Sequence, residues 1–374
     1  MTVENMSEKE PDGGDRGSVM AIEDFTAAVE WQAEHAAINH APCTARIIRA
    51  LPKVIEGNSA CGRRMASWAG LTLKDAMPLR IAGGLHHLLL SGTDDRLARV
   101  YSGQITDQAQ VDRIVCELIE AYDTILLPWF DGPPQTNEAG RSASIMAGLL
   151  WLADRVHPNF DLFEIGASAG VNTMLERYRF RLGTSEVGPE DSPMRIEPEW
   201  RGEAGSPPRP PSDFAIRTVE ACDIAPIDLT DEASALKLKS YVWPDAPGRM
   251  ARIDAAVQLA NENPLSLIKM DAAEFVTAQL AKPQEAGTTR AMFHSIMWQY
   301  LPDSSQETIT AAMVEAGGRA TCEKPLAWVA LETDPKTFRH ELRVRFWSGN
   351  EGDGAVHLLG FAHPHGAWVE WVGA

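Results

Sequence analysis

The stretch Asp161-Leu-Phe-Glu-Ile-Gly166-Ala-Ser168-Ala-Gly170 decides how the rest of the chain reads. Leu162, Phe163 and Ile165 make an apolar strand that runs directly into a glycine turn. Val171, Met174, Leu175 and Tyr178 then fall at the three-and-four spacing of one helix face. Glycine lets a backbone turn sharply and approach a ligand closely, and a helix N-terminus offers unpaired N–H groups. The plain alternative is a strand-to-helix turn that needs small residues only for packing.

Working outward, the segments after Phe160 alternate between strand and helix character. Strand-like runs are AIRTVEACD (215–223), SLIKMD (266–271), RAMFHSI (290–296), PLAWVALE (325–332) and LRVRFW (342–347), followed by a pair around VHLLGFA (356–362) and AWVEWV (367–372). Strands alternating with helices predict crossover units and a mostly parallel sheet, and the closely spaced last strands predict an antiparallel edge. The proline-crowded stretch Gly183 to Pro211 predicts an inserted surface loop, because proline removes backbone donors. Upstream, the pattern is helical to about residue 155. The clearest face is Val111, Ile114, Val115, Leu118, Ile119 and Tyr122, and similar ones occur in Phe25 to Ile38, Leu79 to Leu90 and Arg141 to Ala153. Residues 1–19 are polar with no hydrophobic period, the composition of a disordered tail. The expected organisation is thus a tail at 1–19, a helical N-terminal domain or lid at 20–155, and an α/β domain at 156–374 interrupted by the insertion at 183–211.

Glu164, Gly166 and Gly170 resemble the first motif of class I S-adenosylmethionine-dependent methyltransferases, an acid two residues before a glycine-rich loop; Ser168 stands where the usual middle glycine would be. Asp223 ends a strand resembling the second of that fold, whose acid receives the ribose hydroxyls; Glu176 and Glu186 are alternatives for that role. Asp271 and Ala272 resemble the end of the third strand, at the adenine, and His294 lies in a segment resembling the fourth, which faces the donated methyl. The resemblance implies a Rossmann-like methyltransferase-type sheet and a cofactor, S-adenosylmethionine, held by Glu164, Gly166, Ala167, Ser168, Gly170, Asn172, Asp223, Asp271, Ala272 and His294. Ligands of such sheets bind beyond the carboxyl ends of the strands, where these residues would converge. The phrases TNEAGRSASIMAGLLWLA, EIGASAGVN, YVWPDAPGRMARIDAA, FHSIMWQYLP and AHPHGAWVEW resemble those of the bacterial domain-of-unknown-function family 2332, and they span most of the chain.

Gly166-Ala-Ser168-Ala-Gly170 is also literally G-x-S-x-G, the nucleophile elbow of serine hydrolases, with Asp223 or Asp271 and His294, His363 or His365 in the right chain order. An elbow comes after several strands, however, and everything upstream here is helical. A third reading is a non-catalytic nucleoside-binding or regulatory protein. For a methyltransferase, His294 and Tyr300 are the candidate proton acceptors and Arg141 a carboxylate clamp. Asn137, Glu138, Tyr241, Trp298, Gln299, His363 and His365 are candidate substrate contacts, with helix capping and core packing as the plainer alternatives. His363 and His365 lack partners at metal-ligand spacing, so no metal is expected.

Composition narrows the acceptor. The 34 Lys and Arg against 52 Asp and Glu give a net charge of −18 over 374 residues. Such a surface repels phosphate backbones, which disfavours nucleic acid and leaves a small molecule, or less readily a protein, as acceptor. No apolar run approaches the ~20 residues of a membrane span and no signal-like start is present. The five scattered cysteines, Cys43, Cys61, Cys116, Cys222 and Cys322, make neither a disulfide framework nor a zinc pattern. A reduced, cytoplasmic protein is expected.

Overall fold

The computed structural model describes residues 22–246, 248–350 and 353–373. The tail expected at 1–19 lies outside them. Two compact units are present: residues up to Gln135 together with Leu236–Met250, and Thr136–Ala235 together with Ala251–Ala374.

In the first unit the elements from Phe25 to Leu126 are helices, the longest being Phe25–Ile38, Met77–Leu90 and Gln108–Ala121. Gln108–Ala121 follows directly from its sequence. Asp107 caps it by accepting from the Gln110 amide at 2.9 Å, and Val111, Val115, Leu118 and Ile119 are buried in the unit's core with Ile114 and Tyr122 at its margin. A cap contributes about 1 kcal/mol and each fully buried aliphatic side chain about 1.5–3 kcal/mol, so the apolar face, more than the cap, holds the helix. Tyr241 belongs to this unit. Gly83 and Gly84 admit its ring and that of Trp129, since a Cβ on Gly83 would lie 2.7 Å from Tyr241 and one on Gly84 2.9 Å from Trp129. Asp245 caps the helix Pro42–Arg49, accepting from the Cys43 amide at 2.6 Å and the Thr44 hydroxyl at 2.6 Å.

The second unit is mixed α/β and carries twelve described strands: β1 Asn159–Ile165, β2 Arg179–Leu182, β3 Ser185–Val187, β4 Arg195–Ile196, β5 Glu199–Arg201, β6 Ala215–Asp223, β7 Leu267–Lys269, β8 Thr289–Ser295, β9 Leu326–Thr333, β10 His340–Trp347, β11 Val356–Ala362 and β12 Trp368–Trp371. Nine of them form one sheet in the order β5-β12-β11-β10-β9-β8-β1-β6-β7. The run from β7 to β9 is parallel throughout, and β9 to β12 are antiparallel to one another in turn. Parallel strands are covered on both faces and read as continuous apolar runs. Accordingly Leu162, Phe163, Ile165, Ala291, Met292, Phe293, Val329 and Leu331 are all buried. Phe163 meets Phe275 of the helix Ala272–Ala281 edge to face at 6.3 Å, and the helix Ser142–Ala153 packs so closely that a Cβ on Gly148 would lie 2.9 Å from Val329.

Three expectations need correction. Ser142–Ala153 packs on this sheet and the units divide at Gln135, so the division expected near residue 155 falls earlier. The stretch 183–211 is more than a loop: it supplies β3, β4 and β5, and β5 pairs parallel with β12 to become the outermost strand. Beyond the glycine turn, the expected helix is a short 3-10 segment, Asn172–Arg177, with Met174 out of helical geometry. The chain must enter β2 at Arg179, which leaves no room for a longer helix.

Candidate functional site

The order of the parallel strands reverses between β1 and β8. From β1 the chain moves outward to β6 and β7; from β8 it moves the other way, to β9. Such a reversal leaves a crevice at the carboxyl ends of the two central strands, the place where open α/β sheets bind ligands.

Both strand ends there are strained. After β1, Gly166 and Gly170 have φ of +65° and +71°, and Ser168 lies between them at +54°. After β8, Ile296 has φ +49°. The left-handed region costs an L-residue about 1–2 kcal/mol and is an outlier for a β-branched side chain. These conformations persist because backbone and side chains over-determine them. The Ala167 amide donates to Cys222 O at 3.0 Å and the Ser168 amide to Asp223 Oδ2 at 2.7 Å. Asp223 Oδ1 takes the Ala225 amide at 2.8 Å, so this carboxylate closes the loops after β1 and β6 together. Ile296 donates to Leu331 O at 2.8 Å.

Within and just past the turn, several buried polar atoms are orphaned. Ser168 Oγ, both side-chain atoms of Asn172, and Glu176 Oε2 are buried and have no hydrogen-bond partner among the described residues. Asn172 is only 1% exposed. A buried polar group left unpaired costs about 1–3 kcal/mol, and such clusters call for a missing partner. Glu164 has the opposite arrangement: it is buried and accepts from the Thr173 hydroxyl at 2.5 Å. Burial pushes its carboxyl up to about 8, with the Thr173 bond and Arg141 opposing and Asp223 adding to the rise. Glu164 is therefore a neutral strut beneath the turn at neutral pH. Burial also raises Glu176, against its bond from Arg177.

Residues 136–141 tie this turn to the β11–β12 hairpin. Asn137 Oδ1 accepts from the Val171 amide at 2.7 Å. Glu138, buried, accepts from Arg252 Nε at 3.0 Å, and Arg141 Nε donates to Pro364 O at 2.8 Å. Gly140 and Gly366 touch backbone to backbone, where a Cβ on Gly366 would lie 2.4 Å from Gly140 Cα. That contact requires glycine on both sides. His363 Nδ1 accepts from the His365 amide at 3.1 Å, and the two rings stand 5.4 Å apart.

Residues 26–371 match the family model described as "Uncharacterized protein conserved in bacteria (DUF2332)". The chain belongs to this family. No curated protein and no solved structure matches it. For this member of the family, the sequence-derived residues sort themselves by what they touch. Gly166, Ala167, Ser168, Gly170, Asn172 and Asp223 come together at one turn, with Asn137, Glu138, Arg141, His363 and His365 linked to it through residues 136–141. Asp271 caps the helix Ala272–Ala281, its Oδ1 taking the Ala273 amide at 2.8 Å, and Ala272 is buried. Arg141, expected as a carboxylate clamp, directs Nε to a backbone carbonyl and a further bond to Ser295 O. His294 is buried with both ring nitrogens engaged, Nδ1 by Glu332 at 2.6 Å and Nε2 by the Trp328 indole N–H at 2.9 Å, an arrangement that does not leave it poised as a proton acceptor. Tyr300 is 76% exposed beside exposed Gln299. Glu186 sits exposed on β3, paired with Arg179. Tyr241 lies in the first unit. Trp298 stacks on His294 at 5.1 Å and lines an open groove of about 660 Å³ with Gln306, Glu307, Thr310 and Val314.

Sequence reasoning missed Glu332, Trp328, Thr173 and Arg252. Glu332 carried the same signal as Asp223 and Asp271, an acid ending an apolar strand. Among the described residues, no cluster of three or more metal-binding side chains forms and no helix is long and apolar enough to cross a membrane. All five cysteines are free thiols, and burial pushes Cys222 up to about 12.

Proposed function

We propose that the crevice at the ends of β1 and β8 binds S-adenosylmethionine and that the protein is a methyltransferase acting on a small-molecule acceptor. The observation that carries this reading is the coincidence, at one strand-order reversal, of a left-handed glycine turn with the orphaned atoms of Ser168, Asn172 and Glu176. Support also comes from the parallel order β7-β6-β1-β8-β9, which matches the 3-2-1-4-5 order expected of a Rossmann-like sheet.

The residues present fit such a cofactor. Asn172 offers two donors and an acceptor and Ser168 one of each, suited to a polar ligand with an amino-acid end. The Asp223 oxygens keep lone pairs beyond their backbone bonds. The bound cofactor would supply an electrophilic methyl on a sulfonium. The chain's own contribution is orientation, the pinned turn holding the cofactor for its acceptor. The −18 charge supports a small acceptor over nucleic acid. Isothermal titration with S-adenosylmethionine and S-adenosylhomocysteine tests the reading. Saturable binding of both is expected, weakened in Asp223→Ala; folded protein that binds neither rules it out.

The strain at Ser168 favours a second reading, since a hydrolase elbow holds its nucleophile in this conformation. Against it, Ser168 Oγ is buried and has no base bonded to it among the described residues. Labelling by a fluorophosphonate probe, lost in Ser168→Ala, would establish that alternative, and unlabelled protein would remove it.

A further inference from the structure

We propose that Glu332 is a positioning residue for this site, acting through His294 and the strained turn at Ile296 and Met297. The inference takes its ligand from the reading above and its mechanism from hydrogen-bond geometry alone. An indole N–H can only donate, so the 2.9 Å contact from Trp328 Nε1 makes His294 Nε2 an unprotonated acceptor. Nδ1 then carries the proton and donates it to Glu332 Oε1 at 2.6 Å. That same oxygen accepts the Met297 amide at 3.1 Å.

One carboxylate oxygen at the end of β9 therefore joins an imidazole in β8 to the amide next to Ile296. With Ile296 itself donating to Leu331 O, the end of β9 pins the turn twice. The consequence reaches the glycine turn, because the Met297 side chain lies directly over Gly166: a Cβ there would be 2.6 Å from Met297 Cε and 2.9 Å from Cγ. Trp298, next along, stacks on the imidazole with 19° between the rings. Releasing Glu332 frees the His294 ring, the Met297 amide and the cover over Gly166 in one step, although Glu332 itself need touch no ligand.

Three readouts test this: the side-chain 15N resonances of His294, hydrogen exchange of the Met297 amide, and titration with S-adenosylhomocysteine. In the wild type His294 should be the neutral Nδ1-protonated tautomer. Glu332→Gln keeps an acceptor oxygen for both bonds and should retain the tautomer, the amide protection and the affinity. In Glu332→Ala the Trp328 indole should still hold the Nδ1-protonated tautomer, while by the usual worth of a bond to a charged group Met297 protection and ligand affinity should each fall about tenfold or more. Trp328→Phe, which spares Glu332, should keep Nδ1 protonated, because a carboxylate can only accept, and should leave the Met297 amide protected. An Nε2-protonated His294 in the wild type, or Glu332→Ala with Met297 protection unchanged, overturns the proposal. If folded wild type fails to bind, the cofactor reading fails, while the resonance and exchange readouts still decide the role of Glu332.

Discussion

The helix Gln108–Ala121 and the turn from Gly166 to Glu176 are built on opposite terms. In the helix every local preference agrees with the fold: an Asp caps it, its apolar period matches its buried face, and its polar residues face out. In the turn local preferences are overruled. A serine takes a glycine conformation, a buried asparagine side chain has no partner among the described residues, and a glutamate sits uncharged beneath them. Consistency marks what is there for stability, and local conflict that the structure tolerates marks what is there for function. The Ile296 turn belongs with the second kind.

The contrast is sharpest under substitution. Leu118→Ala in the helix should lose about 2–5 kcal/mol, the usual cost of emptying a filled core site, read by denaturant unfolding. Asn172→Leu should go the other way. It removes two orphaned polar atoms at similar volume and should stabilise the second unit by about 1–3 kcal/mol while abolishing ligand binding. A destabilised Asn172→Leu would mean that the amide is satisfied within the fold and would break the comparison. Ser168→Gly should stabilise by about 1–2 kcal/mol through relief of left-handed strain, again at the expense of affinity.

The contrast extends to pH. Burial raises the Glu164 carboxyl to about 8, above its unfolded value. Between those values the folded state holds a proton that the unfolded state releases, so the contribution is full below the unfolded value and is lost as pH rises through about 8. Thermal unfolding from pH 5 to 9 should show this decline in the wild type and a flatter profile in Glu164→Gln, which keeps an acceptor for Thr173. Equal slopes in both would show that Glu164 does not titrate in this range.

Much of the sheet was legible because buried parallel strands leave unbroken apolar runs, and each strand-like run from Asp161 to Val372 became one of its strands. Ser142–Ala153 was assigned to the wrong side of the division because it is buried all round, and an all-apolar helix does not announce what it packs against. The short strands within 183–211 were hidden among prolines, which edge strands tolerate. In the site, acids at strand ends could be picked out, but not what they bind: Asp223 and Asp271 both accept backbone amides. The Arg252 to Glu138 pair and the Glu332 to His294 pair join distant segments, and no local pattern encodes them.

The most direct test of the account follows the Asn172 side-chain amide by NMR during titration with S-adenosylhomocysteine. If the turn holds its orphaned groups for this ligand, the Asn172 amide protons should shift and become protected from exchange in step with binding. An Asn172 amide unchanged at saturation would contradict the claim.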